Sequence, residues 1–192
     1  MSRNTKIILV VVGTLGIICA LLCVTLVFFV PQFAQNFAGQ LQDPANVRRI
    51  ASEIADFDLP RGYQEFIGMD LLGTQMVAFN PPNNRGIILM LIQMPAANAS
   101  REQMEQQLRQ QLGSQPSSSC SDYVKVGEET IAIKGTPTTL TISECTSTSR
   151  NLRMRQEVGV FQGKSGLAMV MGVGAVSEWD AATLRQFLGS IR

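Results

Sequence analysis

Between Ile7 and Val30 the chain carries no charged side chain, and Thr14 and Thr25 are the only hydroxyl-bearing residues in an otherwise apolar or small run. As a helix rising about 1.5 Å per residue, the run reaches roughly 36 Å, enough to cross a bilayer core with some tilt. Arg3 and Lys6 precede it, and the first charge after it is Asp43. The bias of basic residues toward the cytoplasmic flank predicts a cytoplasmic N-terminus and an extracytoplasmic (periplasmic or extracellular) remainder. The expected organisation is therefore a tail over 1–6, a single-pass anchor in the lipid bilayer over 7–30, a stalk over 31–45 and a folded domain over 46–192. A cleaved signal peptide would need a shorter apolar core and a small-residue cleavage site, and Ala34 to Ala38 matches that site poorly.

Without the anchor, the 192-residue chain holds about one domain. Its formal net charge is +1, from 16 basic and 15 acidic residues, so no excess of positive charge points to nucleic acid. The absence of histidine rules out Ser-His-Asp and Cys-His nucleophile systems and any imidazole metal site. No cofactor motif is present. Asp56 and Asp58 have the look of a cation loop, but Arg61 and Ile67 stand where the calcium pattern requires glycine and glutamate.

Of four cysteines, Cys19 and Cys23 lie one helical turn apart within the apolar run, as packing filler or as acylation sites. Cys120 and Cys145 are the two outside it, on the side where disulfides persist. A single intramolecular bond between them is expected.

Beyond Pro31, Phe33, Phe37 and Leu41 recur every four residues, as in a helical stalk or an interfacial segment. Asp43-Pro44 reads as a helix cap followed by proline in the first turn, with Val47, Ile50, Ala51 and Ile54 on one face. Strands are expected over Tyr63–Ile67 and Leu71–Phe79, parted near Gly68-Met69-Asp70. Another covers Gly86–Met94, whose unbroken apolar run suits a central strand covered on both faces. Ser100 and Gln103 form a capping box for a helix carrying Met104, Leu108 and Leu112 on one face and ending at Gly113. The sequon at Asn98 overlaps this cap. After the loop Gln115–Ser119, strands are expected over Tyr123–Val126, Thr130–Lys134, Thr138–Cys145, Leu152–Phe161 and Leu167–Val173, at hairpin spacing. A last helix is expected from Ser177, burying Leu184, Phe187, Leu188 and Ile191, with Trp179 stapling it to the sheet. The fold class is α+β: a transmembrane helix, then one domain with a mainly antiparallel sheet and helices packed against it.

Gly159 to Ser165 lacks the spacing of a phosphate-binding loop and precedes a strand rather than a helix, so a hairpin turn is expected. Arg150, Arg153 and Arg155 are the candidate ligand contacts. On a strand Arg153 and Arg155 share one face, suited to a small anion or lipid headgroup or else to a plain solvated face beside Glu157. The many methionines fall in strands and read as core filling.

From about Asn46 to Arg192 the chain resembles the extracytoplasmic PsbP/Mog1/DcrB-like α/β/α sandwich domains. The resemblance is carried by Leu59-Pro60-Arg61-Gly62-Tyr63, the mid-chain helix between sheet segments, and Trp179-Asp180 with Phe187-Leu188-Gly189-Ser190-Ile191-Arg192. It implies an anchored or secreted accessory or assembly role and no catalytic residues. The leading expectation is thus a non-catalytic interaction or assembly module with a protein partner. The rival is a small-ligand or lipid-headgroup carrier or sensor. A hydrolase using Asp56, Asp58, Glu128 and Glu129 would need those carboxylates to converge in one cleft.

Overall fold

The computed structural model describes residues 41–94, Gln103, Gln106 and 120–192. The apolar run 7–30 with Cys19 and Cys23, most of the stalk, the sequon and the loop before Cys120 lie outside the described residues. So does the Ser100–Gly113 helix, apart from Gln103 and Gln106, both helical and exposed. No helix among the described residues is long and apolar enough to cross a membrane.

Helix α1, Pro44–Ile54, begins where its cap predicts. The Asp43 carboxylate accepts the Ala45 amide at 3.0 Å, and proline occupies a first-turn position that needs no donor. Its buried stripe is Val47, Ile50, Ala51 and Ile54.

Strands β1 (Gln64–Leu71) and β2 (Thr74–Asn80) form a hairpin. Its turn is Leu72-Gly73, not the expected Gly68-Met69-Asp70. Leu72 and Gly73 both have positive φ, 52° and 81°, which suits the twist of a two-residue hairpin turn. Gly68 instead lies within β1 because α1 crosses there: a Cβ at Gly68 would sit 2.9 Å from the Val47 Cα. What reads locally as a turn glycine is a packing glycine.

Strand β3 (Ile88–Gln93) follows a short 3-10 turn at Pro82–Asn84. Its apolar run alternates in burial, with Leu89, Leu91 and Gln93 buried and Ile88, Met90 and Ile92 half-buried. Strand β4 spans Cys120–Ile133 without a break, so the two expected strands and their turn at Gly127-Glu128-Glu129 are one element. Gly127, Glu128 and Glu129 pair in regular register with Ile142, Thr141 and Leu140 of the next strand, and the two register irregularities, between Ser121 and Val124 and between Lys125 and Gly127, fall before them. Strands β5 (Thr136–Ser147), β6 (Leu152–Gln162) and β7 (Leu167–Ala175) complete the sheet. Gly163 closes the β6–β7 turn onto Gly166 with a 2.8 Å hydrogen bond, a hairpin as expected. Helix α2, Ala181–Ser190, starts later than Ser177. Asp180 is its cap, accepting the Ala182 and Thr183 amides, while Val176–Glu178 forms a 3-10 turn.

The strand order is β1-β2-β3-β7-β6-β5-β4, and every pairing is antiparallel. On one face α1 and α2 bury Phe79, Leu89, Leu91, Leu140, Phe161 and Val170 against Ile50, Ile54, Leu184, Phe187 and Leu188. Phe57 seals this layer edge-on to Phe79 and Phe187, with ring centroids 5.5 and 5.2 Å away. Trp179 packs against the same core, as expected of a staple.

The sheet has two distinct ends. One carries the Leu72-Gly73 turn, the 163–166 turn and the C-terminal ends of both helices: Lys164 N–H donates to the Ile54 carbonyl, and Arg192 N–H to that of Asp56. The other carries residues 80–87, the 148–151 turn and the start of α2. The start of α1 points toward this second end, since Arg48 pairs with Glu65 early in β1 whereas Glu53 meets Gln75 near the opposite turn.

Candidate functional site

A disulfide joins Cys120 at the start of β4 to Cys145 near the end of β5, with Cα atoms 5.7 Å apart. It secures the outermost strand of the sheet where the β4 ladder is most irregular.

The three candidate arginines separate. Arg155 donates from Nε and Nη2 to one Glu144 oxygen, at 3.0 and 2.7 Å, and Arg153 donates from Nε to the other at 3.3 Å. Antiparallel pairing sets Glu144 directly opposite Arg155. These hydrogen bonds, that from Arg155 foremost, hold the Glu144 carboxyl below the usual carboxylate range against the opposing effect of burial. The Arg155 guanidinium also lies over the Trp179 ring, 5.6 Å from its centroid. Both side chains are therefore committed within the fold. Glu157, close to them in sequence, is buried and binds Arg185 of α2 at 2.8 Å; Arg185 also bonds Glu129. Burial opposes the charge on Arg185, but the hydrogen bonds to Glu129 and Glu157 outweigh it and raise its pKa.

Arg150 is different. It stands exposed in the 148–151 turn without an ion pair among the described residues and borders a groove of about 240 Å³ lined by Phe66, Ile88, Leu152, Met154 and Val173. Beside this groove is a cleft of about 480 Å³ bordered by Arg61, Tyr63, Arg85, Ile87, Asp180 and Thr183. The two share Pro81, Gly86 and Glu178. Arg61 and Arg85 are likewise exposed and without an ion pair, whereas the other arginines among the described residues each bind a carboxylate.

The local backbone explains the arrangement. Gly62, at φ 86°, lies so close to Pro82 that a Cβ would meet its ring at 2.7 Å, and this brings Arg61 against the 80–86 loop. The Tyr63 hydroxyl donates to the Ile87 carbonyl at 2.8 Å and pins the far side of the loop. Burial is the main cause of the raised Tyr63 pKa. The acids nearby have other engagements: Glu178 accepts the Gly86 amide at 3.3 Å, Asp180 caps α2, and Glu65 binds Arg48 at 2.6 Å. Arg150 was legible in the sequence as a candidate, but Arg61 and Arg85 were not, since their unpaired state depends on which acids the fold brings near.

The four carboxylates of the hydrolase expectation do not converge. Asp56 binds Lys164 at 2.6 Å, Asp58 binds Arg192 at 3.0 Å, Glu128 binds Lys125 at 2.7 Å, and Glu129 binds Arg185. A further cleft of about 530 Å³ beside α1 is lined by Phe57, Leu59 and Phe79, and its rim arginines, Arg48 and Arg192, are both paired. No group of three potential metal ligands occurs among the described residues.

The sequence matches no protein-family model and no curated protein. Among solved structures the chain is similar to LpqN, a Mycobacterium tuberculosis protein involved in cell envelope biogenesis. The identity is 10% over 62% of this chain and 68% of that one, with a TM-score of 0.36.

Proposed function

We propose that residues 41–192 form a non-catalytic interaction or assembly module, held at the extracytoplasmic face of a membrane by the apolar run 7–30. The observation that carries this is the gathering of Arg61, Arg85 and Arg150, all without ion pairs among the described residues, around two open clefts at one end of the sheet. A binding surface keeps its charges available, whereas arginines that serve the fold are paired within it. The Cys120–Cys145 bond suits an oxidising compartment, and the resemblance to PsbP/Mog1/DcrB-like domains implies an accessory role of the same kind.

Two measurements on the intact anchored protein test this. A thiol reagent unable to cross membranes should label Cys120 and Cys145 only after reduction; labelling without reduction rejects the disulfide, and labelling only after the membrane is opened rejects the placement. A photo-crosslinking side chain at Asn83, in the shared loop, should form discrete adducts in native membranes, while one at Ala132, near the opposite end of β4, should not. Equal adduct formation at both positions rejects a dedicated surface.

A further inference from the structure

Resting on that reading of a tethered module, we infer that the arginine-bearing end is a docking surface for anionic lipid headgroups, and that the head settles this end onto the membrane that anchors it. Three independent features coincide there. The first is charge: Arg61, Arg85 and Arg150 are exposed and unpaired, and the surrounding acids Glu65, Glu178 and Asp180 are bound to Arg48, the Gly86 amide and the α2 cap respectively. Arginine forks match phosphate oxygens bidentately, so the group recognised is a phosphate-bearing headgroup.

The second feature is apolar. Phe66 and Leu152 are each 37% exposed and line the groove bordered by Arg150. An aromatic and an aliphatic side chain beside basic groups are what an interfacial contact uses, the rings at headgroup depth and the guanidinium groups on phosphate. Phe66 reaches this position because it sits at the register irregularity between Glu65 and Ile67, which turns it out of the regular alternation of β1.

The third feature is where the chain enters. The N-terminus of α1, with its cap Asp43, lies toward this same end of the sheet. From Pro31 to Asp43 the chain has no charged residue before Asp43, and as a tether of that length it spans at most about 45 Å when extended. A head so restrained meets the bilayer at a high effective concentration, and weak headgroup contacts suffice to orient it.

The test uses the full chain reconstituted in vesicles of phosphatidylcholine alone or of an equimolar mixture with phosphatidylglycerol. With the photo-crosslinking side chain at Asn83, lipid adducts resolved by mass should form in the mixed vesicles, and those at Ala132 should remain at background. Each basic group near an anionic surface favours association about fivefold, so the triple variant Arg61→Glu, Arg85→Glu and Arg150→Glu, which also adds repulsion, should lower the Asn83 yield by at least about a hundredfold or to the Ala132 background. Raised salt should lower it as well, and the three arginine-to-lysine changes should retain most of it. An unchanged thermal melt for the glutamate variant would exclude unfolding as the cause. Equal lipid adducts in both vesicle types, no lipid adducts at Asn83, or indifference to the glutamate changes would overturn the inference. Protein adducts at Asn83 in native membranes, with no lipid adducts in vesicles, would overturn it while leaving the interaction module standing.

Discussion

Arg185 of α2 reaches Glu157 of β6, Nη1 to Oε2 at 2.8 Å, where the carboxylate is almost wholly out of solvent. The same guanidinium turns its other edge to Glu129 on β4. One side chain thus ties the second helix to two strands of the sheet. Arg185→Met would strand the buried Glu157 carboxylate, and we expect a loss of about 3–5 kcal/mol. Adding Glu157→Leu should restore much of that loss, because the cost lies in the unpaired charge rather than in the missing attraction. Urea midpoints of the two variants check this; a double variant no more stable than the single one would contradict it.

Acid should weaken the fold partly through Glu144. Its folded pKa lies below its unfolded value, so its contribution is complete above the ordinary carboxylate range and disappears as pH falls through the folded value. Glu144→Gln should therefore lower stability at neutral pH and flatten the decline on acidification. Urea midpoints at neutral and acidic pH measure both; parallel declines for the two proteins would argue against this role.

Gly68 marks the closest approach of α1 to the sheet. Gly68→Ala would set a methyl 2.9 Å from the Val47 Cα and 3.3 Å from the Ile50 Cδ1. A backbone atom yields only if the helix moves, so the expected cost is about 1–3 kcal/mol. A melting temperature equal to that of the wild type would show that α1 is free to shift.

The β1–β2 turn departs from the residues its geometry favours. Leu72 is fully exposed and holds φ at 52°, a region costing an L-residue of this kind roughly 1–2 kcal/mol. Leu72→Asn would create the Asn-Gly pair preferred in two-residue hairpin turns. A stabilisation of about 1 kcal/mol is expected, read from the urea midpoint, and a loss of stability would refute it.

Much of the architecture is legible in the order of the residues. Asp43-Pro44 announces α1 because capping is a local event within a few residues. The antiparallel sheet is legible because burial leaves a period-two trace along each strand, and the disulfide because only two cysteines lie outside the apolar run. The turn at Leu72-Gly73 is hidden, since Gly68 is the more obvious breaker and its reason for being glycine lies on another element. The unbroken β4 is hidden for a related cause: Gly127-Glu128-Glu129 has the composition of a turn, and it is pairing with Ile142, Thr141 and Leu140 of β5 that holds it in a strand.

The candidate surface divides along the same line. Sequence alone determined the apolar run, the absence of imidazole chemistry, the approximate elements and the presence of Arg150, all properties of residues and their near neighbours. Only the tertiary structure decided that Glu144 occupies Arg153 and Arg155, that Arg185 takes Glu157, and that Arg61, Arg85 and Arg150 are left around one loop. Whether an arginine is available depends on the acids brought within about 4 Å of it, and those acids come from strands and helices distant in the chain, whose register no local pattern encodes.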